Sequence, residues 1–599
     1  MVSFAALSPF KTYEPIIANK VEEVFTPSYQ EELSGLPGQR VNINLEKRLL
    51  QIDSAILLSG FKQRPGDQVW IGEHVGKFLF SASLTYRYTR NQHLKQLMDD
   101  MASKYMSYQL PNGYMGTYLP KDYWTEWDVW AHKYCIIGLL NYYQVTGNKK
   151  ALATAQKAAD LICRTFGNGP EQLDLMTSGH HVGMAAGSIL EPMVDLYRYT
   201  GDKKYLDFAK YILGAFEQQN GPKIISSLEK YGRVDKVGNA KAYEMLSCLV
   251  GMLKYYKLTG DKKYLTPLQT AWQDIVSNRL YVTGTASSGE HFHDNFDLKA
   301  ENDDHMGEGC VTTTWIQFND QLLRITGEAK YASQIERSFY NHLLAAENPQ
   351  TGCVSYYTAL RGVKPYKCDQ GYSCCLSSVP RGISMIPYLF WGKISGDFSV
   401  LLYESGEVKD KIVTKDKTSI SLAIQASSGF PAKGKVVYTI SPDIDGKIFT
   451  LNFRVPAWAA AFNVQAGGKS YTANTNDFVR VEKAWNKGEK VSVTFDILVK
   501  IVSGNPSYKG FVAIERGPQV LAADSLFGDF KNLSVNQSSA SQLKRTYNAL
   551  PAGWEGTQAY SVTGEDAVGN KKEITLVPFA DASQKGSYVS VWLKKSEEN

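Results

Sequence analysis

The chain has 599 residues, 43% hydrophobic and 21% charged, and its 65 basic and 60 acidic side chains leave a net charge of +5. This length buries more than one core and makes two or three domains the natural division. The evenly spread charge offers no basic block for nucleic acid, and no apolar run nears the roughly 18 residues that cross a bilayer.

At the N-terminus, Met1 to Leu7 lacks a basic segment and is too short an apolar run for a signal peptide. The reading is a cytoplasmic protein, or a periplasmic or secreted one whose leader is absent from this chain. An N-terminal arm over residues 1–40 precedes the first regular helical pattern. Next comes an aromatic loop, Asn112-Gly113-Tyr114-Met115-Gly116-Thr117-Tyr118, followed by Trp124, Trp127 and Trp130 interleaved with Glu126 and Asp128. A single tryptophan is ordinarily core; three so close together among acids suggest a sugar-binding wall. Tyr114 and Trp127 are its candidate contacts.

A repeated phrase organises the helical region: Thr146-Gly147-Asn148, Thr200-Gly201-Asp202, Thr259-Gly260-Asp261 and Thr326-Gly327-Glu328, with a weaker copy at Thr89-Arg90-Asn91. Glycine suits the left-handed position that ends one helix, and Asn or Asp caps the next. Copies lie roughly 55 to 67 residues apart, longer than most solenoid repeats. Five or six such hairpins closing on themselves give an α/α barrel; an open solenoid is the rival.

Between the last hairpins lies the chemistry. Glu290 stands in Ser288-Gly289-Glu290-His291-Phe292, among His291, His293, Asp294, Asp303, Asp304 and His305. Any of these acids is a possible proton donor, and the three histidines are possible metal ligands. Glu308 and Cys310 precede one helical run, and the adjacent thiols Cys374 and Cys375 precede another. Three thiolates and a carboxylate fill the tetrahedral positions Zn²⁺ prefers. Such a site either staples a loop or activates a thiol, and helix N-termini favour the thiolate. Cys135, Cys163 and Cys248 read as small buried apolar residues. Around Gly392 the period changes to two, and β-branched runs such as Ser419–Ile424 and Lys447–Phe453 continue to the C-terminus.

These motifs resemble glycoside hydrolase family 127, the β-L-arabinofuranosidase group. The resemblance rests on Gly113–Tyr118, Gly289-Glu290-His291-Phe292, Glu308-x-Cys310, Cys374-Cys375, Phe453-Arg454-Val455-Pro456 and Glu515-Arg516-Gly517-Pro518, and it covers nearly the whole length. It implies an (α/α)6 barrel over residues 1–390, a β-sandwich domain over 391–500 and a second β-rich sandwich portion over 501–599. It also implies a retaining exo-glycosidase with Cys374 as nucleophile, Glu290 as acid and then base, and Zn²⁺ on Glu308, Cys310, Cys374 and Cys375. His132 and Tyr357 match sugar-contacting positions. Asn239, in Gly238-Asn239-Ala240, and Ala186 or Gly187 replace pocket histidines of the family, so the expected substrate is a terminal L-arabinofuranose-like sugar or a different, branched or acidic one. Lys133 and Lys241 would favour an acidic sugar if they faced the pocket. A non-catalytic glycan-binding protein with a structural zinc is the reading from another class. The expected partner is a glycan, with no nucleic acid, no membrane span and an open oligomeric state.

Overall fold

The computed structural model describes residues 10–369, 373–536, 538, 541–546, 550–556 and 558–596. The chain divides into two units: residues 1–22, 45–272 and 369–385 form one, and residues 23–44, 273–368 and 386–599 the other.

The first unit is helical. Its hairpins pair Glu73–Thr89 with Gln92–Ser107, Asp128–Thr146 with Lys149–Thr165, and Leu190–Thr200 with Lys203–Ala215. The helices Asp128–Thr146 and Ala242–Thr259 are buried on nearly every side, whereas Lys149–Thr165 and Lys203–Ala215 bury one stripe of residues, as inner and outer partners of a hairpin do. The repeated phrase makes the turns. Gly147, Gly201 and Gly260 are left-handed, with φ of 70°, 70° and 73°. The Asn148, Asp202 and Asp261 carboxyl or amide oxygens accept backbone N–H bonds from the next helix. The extended N-terminal arm runs past successive helix ends, donating from Tyr13 to Gln144 O, from Ile17 to Arg198 O and from Val21 to Lys257 O. Each bond satisfies a carbonyl that a helix C-terminus leaves open.

The second unit holds one helical hairpin, Gly309–Thr326 with Ala329–Ser338, and the sheets. A five-stranded sheet contains Trp391–Ile394 and Lys447–Arg454; a seven-stranded sheet contains Ser419–Ser428 and Lys435–Pro442. Their apolar faces meet, Tyr438 of one lying 5.5 Å from Phe453 of the other. Beside them Glu404 is 1% exposed and accepts a hydrogen bond from Tyr340 Oη at 3.0 Å.

One feature differs from the sequence expectation. The arm assigned to the helical domain sends strands Phe25–Pro27 and Glu31–Leu33 into the sheets, where they pair with Trp391–Ile394 and Gly406–Val413. The pairing partners lie so far along the chain that no local pattern announces them. The strands after residue 498 form a ten-stranded sheet together with Arg361–Gly362. It carries an apolar cluster around Val577 and Trp592 and another around Ile514 and Leu576. No helix among the described residues is long and apolar enough to cross a membrane.

Candidate active site

In the second unit, three segments bring Glu290, Glu308 and the Tyr356-Tyr357 pair together. Ser288 bridges Met306, Glu308 bridges Tyr357, and Gly309 N donates to Tyr356 O at 3.1 Å. Oε1 of Glu290 accepts from the Tyr356 hydroxyl at 2.7 Å and from the Tyr357 hydroxyl at 2.6 Å. Glu290 is half-buried with φ of 66°, and Ser287 and Gly289 beside it also have positive φ. A non-glycine residue held there marks a side chain aimed by its surroundings. The hairpin carrying the tyrosines pairs Val354–Ser355 with Tyr366–Lys367, and a disulfide between Cys353 and Cys368 closes it.

Glu308 and Cys310 are 1% and 0% exposed at the start of the helix Gly309–Thr326. Gly307 before them has φ of 70°, and a Cβ there would strike His342 Nε2. The His342 ring is fully buried between Thr283 Oγ1, at 3.0 Å, and Gly307 O, also at 3.0 Å. Burial pushes its pKa down to about 3, so it is a neutral strut.

In the first unit, Cys374 and Cys375 open the helix Cys375–Met385 with their sulfurs 3.9 Å apart. Cys375 is buried and Cys374 half-buried. Buried groups hold this helix start. Lys77 Nζ lies 3.5 Å from Cys374 O and 2.8 Å from Glu73 Oε1, and Trp130 Nε1 donates to Glu73 Oε2. Burial raises the pKa of Glu73, but Lys77, His74 and these bonds outweigh it and hold the carboxyl below its ordinary value. His74 Nδ1 meets Ser377 Oγ at 2.9 Å, and Arg48 donates to Leu376 O at 3.0 Å.

Among the described residues, Glu308, Cys310, Cys374 and Cys375 form the group able to hold a metal ion, with ligand atoms all within 4.8 Å of one another. The rival histidines are engaged elsewhere. His291 Nδ1 lies 2.6 Å from Gly289 O, His293 Nε2 lies 2.7 Å from Ser288 O, and His305 packs on Tyr357 at 4.9 Å. Asp304 accepts from Glu301 N at 2.9 Å in a capping box.

The aromatic loop is ordered from behind. His132 and Tyr114 are both fully buried. His132 Nε2 accepts from Met115 N at 3.0 Å, which leaves Nδ1–H to donate to Asp128 O at 2.8 Å, and the Tyr114 hydroxyl donates to Asp128 Oδ1 at 2.9 Å. These two residues therefore frame the loop. Trp127 is half-buried and Asn239 exposed. Lys133, which would favour an acidic sugar if it faced the pocket, is 1% exposed, its ammonium 4.1 Å from the Trp130 ring centre and 4.7 Å from that of Tyr134. Lys241 is 6% exposed. The sequence reading did not single out Tyr356, which bonds to Glu290, or Glu73 and Lys77, which support the start of the thiol helix. The Tyr-Tyr doublet was the one signal available for the first of them.

The β-L-arabinofuranosidase GH127 catalytic domain matches residues 33–387 and the GH127 middle domain matches residues 399–497. A non-reducing end β-L-arabinofuranosidase of Bifidobacterium longum subsp. longum is 25% identical over 512 residues, covering 76% of this chain and 75% of that protein. A solved GH127 β-arabinofuranosidase superposes with a TM-score of 0.80 at 24% identity, over 96% of this chain and 98% of the other. A GH127 β-L-arabinofuranosidase from Geobacillus stearothermophilus T6 gives 0.79 at 20% identity, over 94% and 100%. The helical N-terminal domain and β-rich C-terminal region are thus those of the GH127 fold.

Proposed function

This chain belongs to the GH127 β-L-arabinofuranosidase family of glycoside hydrolases, and from that premise we propose that it is a retaining exo-glycosidase releasing terminal β-L-arabinofuranose. The observation that carries this reading is the close group of Glu308, Cys310, Cys374 and Cys375.

The group fits zinc. Three sulfurs and one carboxylate are a zinc donor set, and with Zn–S near 2.3 Å two sulfurs of a tetrahedron stand about 3.8 Å apart. The Cys374–Cys375 separation of 3.9 Å matches that edge. A bound zinc would keep the cysteines as thiolates near neutral pH.

The chain's own groups then perform a double displacement. Glu290 donates its proton to the glycosidic oxygen while Cys374 Sγ attacks the anomeric carbon. The carbon–oxygen bond breaks, and a carbon–sulfur bond replaces it. Glu290, now ionised, takes a proton from water, whose oxygen attacks the same carbon and returns the electron pair to sulfur. Tyr356 and Tyr357 hold the carboxylate in place through both steps. Trp127, Asn239 and Tyr357 are the proposed sugar contacts, with His132 and Tyr114 as their frame. The proposed domains are a catalytic domain over residues 1–390, less the two arm strands, and β domains over 391–500 and 501–599.

Three measurements test the reading. Metal analysis should find about one zinc per chain, as a four-ligand site requires. Glu290→Gln should lower kcat by roughly 10²- to 10⁴-fold, with less loss on substrates that have good leaving groups. Cys374→Ser should abolish turnover. Retained hydrolysis by Cys374→Ser, or carefully purified protein free of metal, sinks the thiolate mechanism. If the unaltered protein hydrolyses no furanoside, a glycan-binding role takes its place.

A further inference from the structure

The hairpin that carries Tyr356 and Tyr357 is very short. Its strands, Val354–Ser355 and Tyr366–Lys367, share two paired positions, Val354 with Lys367 and Ser355 with Tyr366. A ladder of that length is marginal in water without further support. The inner strand has such support. Val354 and Ser355 are fully buried, Ser355 N donates to Ala346 O at 2.8 Å, and Asn348 N donates to Cys353 O at 2.9 Å. The outer strand runs along the surface, where Pro365, Lys367 and Cys368 are exposed. Tyr366 anchors it by donating from its hydroxyl to Ala345 O at 2.8 Å.

One step beyond the ladder, in the same register, Cys353 faces Cys368. Their Cα atoms are 4.5 Å apart and their sulfurs are joined. The disulfide is therefore a covalent rung at the open end of the hairpin, and from this rung the inner strand runs directly into Tyr356. Neither cysteine belongs to the group able to hold a metal ion, so the rung and the metal site draw on separate sulfurs.

This hairpin supplies the surroundings of the acid. Both tyrosine hydroxyls donate to Glu290 Oε1, at 2.7 Å and 2.6 Å, and the two rings lie 4.3 Å apart, so a shift of one disturbs the other. A displaced acid loses effect quickly, since a misplacement of about 1 Å can cost on the order of 10²-fold in rate. We propose that the Cys353–Cys368 disulfide is a positioning element for the reaction. By fixing the base of the hairpin it keeps both phenols, and through them the Glu290 carboxyl, aimed at the glycosidic oxygen. This inference rests on the glycosidase reading above.

The test removes the bond and asks which substrates suffer. Cys353→Ser combined with Cys368→Ser keeps side chains of similar size. Methyl β-L-arabinofuranoside has a leaving group that needs a proton, whereas that of 4-nitrophenyl β-L-arabinofuranoside departs with little help. The paired variant should lose about tenfold in kcat/KM on the methyl glycoside and less than about twofold on the nitrophenyl one. A merely structural role would lower both alike. Assays are run well below the variant's melting temperature, with zinc content as a control. Reducing the folded, unaltered protein with tris(2-carboxyethyl)phosphine should give the same pattern. There the S–S bond breaks, the phosphine takes oxygen from water to become its oxide, and the water protons complete two thiols. Exchange with glutathione disulfide should restore activity, and the paired variant should not respond to the phosphine. If the paired variant does not fold, the phosphine experiment decides alone. Equal losses on the two glycosides, unchanged rates, or Cys353 and Cys368 alkylated as free thiols in active, unreduced protein overturn the proposal. If the unaltered protein hydrolyses neither glycoside, the glycosidase reading fails and this inference falls with it.

Discussion

Two phenols donate to one carboxylate oxygen of Glu290 and hold that side chain in place. A hydrogen bond to a charged group contributes about 1.5–3 kcal/mol, so Tyr356→Phe and Tyr357→Phe should each lower kcat by roughly tenfold or more. The double variant should lose more than the product of the two, because in each single variant the remaining donor still orients the carboxylate. Strictly multiplicative losses in steady-state kinetics would show that the two hydroxyls act on different groups. Glu404 gives a prediction about stability. Burial lifts its pKa from 4.5 to about 8, against hydrogen bonds from Tyr340 and the Ser405 backbone that lower it. Its contribution is therefore complete below pH 4.5 and is lost as pH rises through 8, at about 1.4 kcal/mol per pH unit while only the folded form keeps the proton. Glu404→Gln removes that dependence, so its melting temperature should gain on the parent between pH 5 and pH 8. Parallel melting curves across that range would contradict the assignment. Sequence alone does not single out this residue, since its partner Tyr340 lies 64 positions away in the chain.

Helix turns were readable because their chemistry is local: a glycine that must be left-handed and a capping residue that follows at once. The four phrases fall at Gly147, Gly201, Gly260 and Gly327, and each ends a helix. They differ in what surrounds them. A Cβ at Gly260 would meet nothing within 4 Å, whereas one at Gly147 would run into the Tyr13 ring of the arm. Gly260→Ala should cost only the left-handed backbone penalty of roughly 1–2 kcal/mol. Gly147→Ala should cost more and free the arm, which denaturant titration with limited proteolysis of the N-terminus can measure. Gly307 is the turn that matters to the site. Gly307→Ala adds the same backbone penalty to a collision with the buried His342, so the protein should purify with markedly less zinc. The start of the β region near residue 391 was equally legible, since period-two patterns need only neighbours. Motifs singled out Glu290 and the Cys374-Cys375 pair but not Tyr356, whose bond to Glu290 depends on bridges between segments far apart in sequence that no spacing records.

At the scale of the whole chain, the second unit is assembled from three pieces, and its sheets are completed by residues near the N-terminus. Strand Phe25–Pro27 lies at the edge of the five-stranded sheet and Glu31–Leu33 at the edge of the seven-stranded one. Removing residues through 34 would bare a backbone edge on each sheet, and exposed edges recruit other chains. The truncated protein should aggregate at concentrations where the full chain does not, a difference light scattering reports. This arrangement also bears on synthesis. Phe25 pairs with Ile394, and at the usual 5–20 residues per second it leaves the ribosome about 20–70 s before that partner is made. Throughout that interval the arm is nascent polypeptide with no sheet to join, and slower elongation prolongs its exposure to chaperones and proteases.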